Sequence, residues 1–213
     1  MVRDVIGPVV RPLDEVVRDR MSPVLREAGF KRQGRWFRRE NDRGDVASVY
    51  VQPFRLGVHD AEFFVNLYVL PKIWRDFTAR KGSSEAMGLW QDRLRVPGRL
   101  PLRADHWSFD LSDEAAGRLL TDTLAARLPE LLALLDPHVL LDYARTAPQA
   151  PGRKITVHRG MSVAALLASL GPSDELDRLL RELAQEPGGV LADVISDFVD
   201  FVPTWVATHR PSP

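Results

Sequence analysis

The sequence predicts an α+β fold: a four-stranded antiparallel sheet packed by helices on one face, followed by a small helical C-terminal extension. Three observations carry this. Two long runs, residues 46–54 and 62–70, alternate aliphatic with polar or aromatic side chains, the period of strands that bury one face. Shorter runs join them through polar turn residues. Stretches before and after the strands space their apolar residues three and four apart, as amphipathic helices do.

The first helix is expected over residues 12–28, where Leu13, Val16, Val17, Met21, Val24 and Leu25 share a face. Pro23 is expected to kink or restart it, with Ser22 capping the second part and Gly29 ending it. A strand over 35–40 then meets the strand from Val46 across Asn41-Asp42-Arg43-Gly44, a hairpin signature. Arg43-Gly44-Asp45 also spells a cell-adhesion tripeptide, but a tight turn explains those residues and no secretion signal accompanies them. The third strand, 62–70, follows the connection 55–61. Ile73, Trp74 and Phe77 suggest a short helix, 80–84 a turn, and the Pro- and Gly-bearing stretch 95–103 a loop. A fourth strand is expected at 105–110. Ser112 is then placed to cap a helix with Asp113 and Glu114 in its first turn, where the helix dipole favours negative charge. Ala116, Leu119, Leu120, Leu124 and Leu128 are its expected buried stripe, and Pro129 is expected to end or bend it.

The domain reading is an α+β domain over 1–145, a linker over 146–154 rich in Pro, Gly and Ala, and a helical C-terminal region over 155–213. Helices are expected at 162–170, 173–185 and 190–201, separated by Gly171-Pro172 and Pro187-Gly188-Gly189, with a frayed tail after Trp205.

Composition narrows the function classes. Of 213 residues, 45% are hydrophobic and 27% charged, an ordinary globular balance. The absence of cysteine excludes disulfides, thiolate metal sites and cysteine nucleophiles together. No run approaches the roughly 18 apolar residues of a membrane helix, so the expectation is a cytoplasmic protein without membrane contact. Residues 1–110 carry 20 Lys+Arg against 15 Asp+Glu, and 111–213 carry 9 against 14. That asymmetry is too small to argue for nucleic acid. Arginine outnumbers lysine 25 to 4, which fits a GC-rich genome and needs no functional explanation.

No catalytic signature emerges. The five histidines, His59, His106, His138, His158 and His209, form no HxH, HExxH or HxxxH pair. His59-Asp60 with Glu62 reads as a turn rather than a metal set. Gly-rich phosphate loops and a GxSxG elbow are both missing. Asp113-Glu114 and Asp174-Glu175 sit where helix starts want them, and Asp193, Asp197 and Asp200 share one solvated helix face. No catalytic residue, metal or cofactor is assigned.

What stands out is the polar face of the long strands. Ala47, Val49 and Val51 alternate with Ser48, Tyr50 and Gln52; Phe63, Val65, Leu67 and Val69 alternate with Phe64, Asn66 and Tyr68. The second set offers amides and phenols where a solvated face is usually charged. Trp36 and Arg38 join it from the hairpin, and His106 joins it if Trp107 faces the helices. Trp36, Arg38, Tyr50, Gln52, Asn66, Tyr68 and His106 are therefore the candidate ligand- or partner-binding residues. Three uses stay open: a layer covered by other parts of the chain, an interface for a protein, peptide or second copy, and a small-ligand pocket. The expected function is a non-catalytic protein- or peptide-binding interaction module. The alternative is an enzyme or small-ligand sensor using the same face.

The order of elements, with Ala28-Gly29-Phe30-Lys31, Trp36-Phe37-Arg38, Val49-Tyr50-Val51-Gln52 and Phe64-Val65-Asn66-Leu67-Tyr68-Val69, resembles a bacterial family known as domain of unknown function 4304. Arg99-Leu100-Pro101, Asp105-His106-Trp107 and Leu111-Ser112-Asp113-Glu114 fit its later strand and last helix. The resemblance covers residues 12 to about 144 and leaves the C-terminal helices outside. It implies an α+β fold with an antiparallel sheet, and no activity.

Overall fold

The computed structural model describes residues 11–56, 60–82, 88–99, 105–110, 113–146, 154–155, 159–185 and 192–209. Its first helical segment adapts to a proline. α1 (Arg11–Val16) passes into a π-helical stretch (Val17–Met21) and then α2 (Ser22–Glu27). In an ordinary α turn Pro23 would leave the Asp19 carbonyl without a donor and crowd it. Widening to an i→i−5 pattern relieves this. The Ser22 backbone N–H donates to the Val17 carbonyl, and its buried hydroxyl donates to the same oxygen at 2.7 Å. Ser22 is thus a donor inside a continuous helix and not the expected N-cap. Gly29, at φ +83°, ends α2, and Phe30 N–H reaches back to the Leu25 carbonyl at 2.8 Å.

Among the described residues the sheet has seven strands where four were expected. β2 (Trp36–Glu40), β3 (Val46–Leu56), β4 (Asp60–Leu70) and β6 (Trp107–Asp110) are the anticipated ones. β1 (Lys31–Gln33), β5 (Trp90–Arg93) and β7 (Lys154–Ile155) are additional. The hydrogen-bonded order is β1-β2-β3-β4-β5-β7, with β6 also paired to β4. Each pairing whose register is resolved, β1–β2, β4–β6 and β5–β7, is antiparallel. β1 escaped notice because all three of its residues are exposed, so it shows no alternation.

The described residues fall into two compact units that cut across chain order. One draws on Met1–Arg39, Ala47–Leu67 and Asp92–Leu131. Its core joins Leu13, Val17, Met21 and Leu25 with Val49, Val51, Phe63, Val65 and Leu67, and with Leu120 and Leu124 of α4 (Glu114–Ala133), all fully buried. Burying one such side chain is worth roughly 1.5–3 kcal/mol. α4 continues past Pro129, which does not end it, and Leu119, expected in its buried stripe, is exposed. Asp113 accepts from Ala116 N–H at 2.9 Å and so caps α4, while Ser112 lies outside the described residues. Arg20 bonds Glu114 at 2.5 Å, and Arg127 bonds the buried carboxylate of Asp92 on β5 at 2.7 Å.

The other unit draws on Glu40–Val46, Tyr68–Gln91 and Leu132–Pro213. It contains α3 (Lys72–Arg80), α5 (Pro137–Thr146), α6 (Arg159–Leu170), α7 (Asp174–Ala184) and α8 (Ala192–Thr208). α6 packs against α5, α7, α8 and α3; its small residues Ala164, Ala165 and Ala168 are buried and permit close approach. Phe77 and Phe198 meet edge to face at 5.2 Å between α3 and α8. α8 continues past Pro203 to Thr208, beyond the expected end at 201 and three residues into the stretch after Trp205 read as a frayed tail, of which 210–213 lie outside the described residues. The tripeptide Arg43-Gly44-Asp45 is a turn: Asp45 is buried, and its carboxylate accepts from Lys72 N–H at 2.9 Å and from the Asn41 amide at 3.2 Å. Among the described residues no helix is long and apolar enough to cross a membrane.

Candidate functional site

Alternation along β3 and β4 sorts the side chains into two faces. Ala47, Val49, Val51, Phe63, Val65 and Leu67 are fully buried. The opposite face is graded: Ser48, Phe64 and Asn66 are buried, Tyr50 is half-buried, and Gln52 and Phe54 are exposed. Phe54 keeps 58% of its surface in solvent, an unusual position for a phenylalanine.

The amides on this face bond each other. Asn66 Nδ2 donates to Gln52 Oε1 at 3.1 Å, and Arg93 Nε of β5 donates to Asn66 Oδ1 at 3.3 Å. The Arg93 guanidinium also lies over the Phe64 ring, 4.3 Å from its centroid. Asp105 sits 3.6 Å from Arg93 and 3.5 Å from Arg95. This chain satisfies the buried Asn66 from both ends and leaves Gln52 in solvent.

His106 arrives by register. Phe63 pairs with Trp107 across β4 and β6, which sends Trp107 into the core and His106 to the opposite face. There its ring lies 4.4 Å from Phe64 and 4.7 Å from Phe54. A second cluster forms on β2 and β3, where Trp36 stacks on Tyr50 at 4.3 Å and Arg38 lies 5.0 Å from the Trp36 ring. Five candidates therefore group as Gln52–Asn66 and as Trp36–Tyr50–Arg38, with His106 among the phenylalanines beside the amide pair. Tyr68 belongs to the other compact unit, where it is half-buried beside Gly88.

Residues 21–122 match the family model described as Domain of unknown function (DUF4304). That similarity covers a little under half of the chain. The match begins at the last residue of the π-helical stretch and ends within α4, inside the 12 to about 144 that carried the resemblance. All seven candidate residues lie within the matched stretch; α5 to α8 lie beyond it. No curated protein and no solved structure matches the chain.

The sequence-derived candidates leave out four members of this surface, Phe54, Arg93 and Asp105, and Phe64, which the alternation had already placed on the face. Phe54 and Phe64 were legible, since they share the parity of Gln52 and Asn66. Arg93 was hidden because β5 buries Trp90 and Asp92 alike, and a carboxylate at an inward position masks the period of two.

His106 makes ring contacts, and among the described residues no carboxylate or hydroxyl bonds its nitrogens. Among those residues no three His, Asp or Glu side chains gather as a metal site. His59 and His158 lie outside the described residues. Of the acidic residues on α8, Asp197 forms an ion pair with Lys81.

Proposed function

We propose that the outer face of β3 and β4 is a non-catalytic surface that binds another protein or a peptide. The observation that carries this is Phe54, a large apolar side chain left 58% exposed among Phe64, His106 and Gln52. Interfaces favour aromatic and arginine side chains at their centres, and this face combines both. The aliphatic face of the same strands, fully buried, is then the side that the helices cover. An enzyme would need at least two titratable groups within hydrogen-bond reach of a reacting atom. The ionisable groups here instead contact aromatic rings, as His106 and Arg93 do, or each other, as Arg93 and Asp105 do. A bacterial cytoplasmic setting, with a second protein or a second copy as the partner, belongs to the same proposal.

The test is quantitative capture from cells that naturally express the protein, using the tagged full chain beside Phe54→Asp and Gln52→Ala. Phe54 is exposed, so Phe54→Asp should match wild-type thermal stability within about 0.5 kcal/mol, whereas Gln52→Ala takes the acceptor from the buried Asn66 amide and should cost about 1 kcal/mol. Recovery of the specific partner should fall about tenfold for Phe54→Asp and less for Gln52→Ala. Sedimentation of the same proteins reports whether the partner is a second copy. Unchanged recovery and unchanged assembly in both variants would sink the proposal.

A further inference from the structure

We infer that the groove between α3 and α8 binds a small zwitterion with an apolar body, the class of the free amino acids. Contacts run in opposite senses along the two helices: Lys72 meets Trp205, Phe77 meets Phe201, and Lys81 meets Asp197. Towards the C-terminal end of α3 the helices leave a cavity of about 380 Å³. Small-molecule sites fall in a range of about 300–1,000 Å³. Phe77 and Arg80 of α3, with Lys81 just past its end, line one wall; Asp197, Asp200 and Phe201 of α8 line the other. All belong to one compact unit, and none belongs to the β3–β4 face.

The charges on the two walls decide the ligand. Lys81 and Asp197 form an ion pair and neutralise each other. Arg80 holds its guanidinium carbon over the Phe201 ring, 5.4 Å from the centroid. A guanidinium stacked on a ring keeps its in-plane N–H donors, the fork that matches a carboxylate. Among the described residues neither Arg80 nor Asp200 has an ion-pair partner. The helix dipole accounts for cations at the end of α3, but no helix end calls for Asp200 in the middle of α8. One unspent cation and one unspent carboxylate on facing walls fit a ligand that carries both charges. A simple anion fits less well, because it would meet Asp197 and Asp200 in the same groove. The buried rings of Phe77 and Phe201, 5.5 Å apart, supply an apolar floor for the body of the ligand.

Amide chemical-shift titration of the full chain tests this with four compounds. They are L-leucine, isoamylamine, which lacks its carboxylate, isocaproate, which lacks its ammonium, and glycine, which lacks its side chain. Leucine should bind most tightly, with its shifts centred on residues 77–81 and 197–204. Loss of either charge from the ligand should weaken binding about tenfold. Arg80→Gln should lower leucine to the affinity of isoamylamine and leave the amine unchanged. Asp200→Asn should lower it to that of isocaproate and leave the acid unchanged. Both side chains are exposed, so thermal unfolding of the two variants should match wild type. Equal binding of leucine and any one of the other three compounds, indifference of leucine to both substitutions, or no shift in the groove with any compound at tens of millimolar would each overturn the inference.

Discussion

Asp92 is a charge where a strand calls for an apolar side chain. It is 5% exposed on β5, and Arg127 of α4 meets it at 2.7 Å while also pairing with Glu130. Removing one partner of a buried pair leaves the other desolvated and uncompensated. Asp92→Ala should therefore cost about 2 kcal/mol in urea denaturation. A loss below about 0.5 kcal/mol would mean that the pair is incidental. Gly88 makes a different demand, because a Cβ there would come within 2.7 Å of the Trp90 carbonyl and 2.8 Å of the Val69 carbonyl. Both are backbone atoms and cannot swing aside. Gly88→Ala should cost about 1–3 kcal/mol, where relief of chain entropy alone would stabilise. Residues of this kind were illegible beforehand: what Asp92 and Gly88 do depends on neighbours far along the chain. Phe54 and Phe64 needed only parity counting.

Elements were legible where their signals were local. Ser173 was expected at the start of α7 and accepts from Leu176 N–H at 3.2 Å as its N-cap. The same grammar was present in Asp136-Pro137, which opens α5 with His138 N–H donating to the Asp136 carboxylate at 2.8 Å, yet no helix had been expected there. Around Pro23 the expectation was a kink or a restart, and the chain meets the proline with a π turn from which α2 begins. Ser22→Ala removes a buried hydroxyl bond from that turn and should cost about 1 kcal/mol; no change in thermal unfolding would show that the turn holds without it.

The joint of α3 and α8 carries a pH signature. Burial pushes the Asp76 carboxyl up, but hydrogen bonds from Lys72 and Trp205, with the Lys72 and Arg75 charges, outweigh it and hold the group below its ordinary 3.8. A carboxylate depressed in the folded state stabilises above its unfolded value, and that share is lost as pH falls through the folded one. Asp76→Asn should therefore be less stable at neutral pH, by a difference that shrinks from about pH 5 downward past 3.8. A difference constant across that range would contradict the assignment.

At the scale of the whole molecule, strand alternation carries the α+β class and the two faces of β3 and β4. It could not give the number of strands, since β1 and β7 are too short or too exposed to show a period. Nor could it give the grouping of α3 from mid-chain with the C-terminal helices, which packing decides. Of the candidate surface, the amide pair Gln52–Asn66 and the stack Trp36–Tyr50 lie on the face that alternation assigns them, and Arg93 ties the amides to an aromatic surface that sequence alone did not assemble. The central claim is that another protein sits on this face. Site-specific photo-crosslinking tests it most directly, with p-benzoylphenylalanine replacing Phe54, and Leu119 on the exposed side of α4 as the control position. A discrete protein adduct at position 54, absent at 119 and suppressed by Gln52→Ala, is the expected result. No adduct at 54, or the same adducts at both positions, would contradict it.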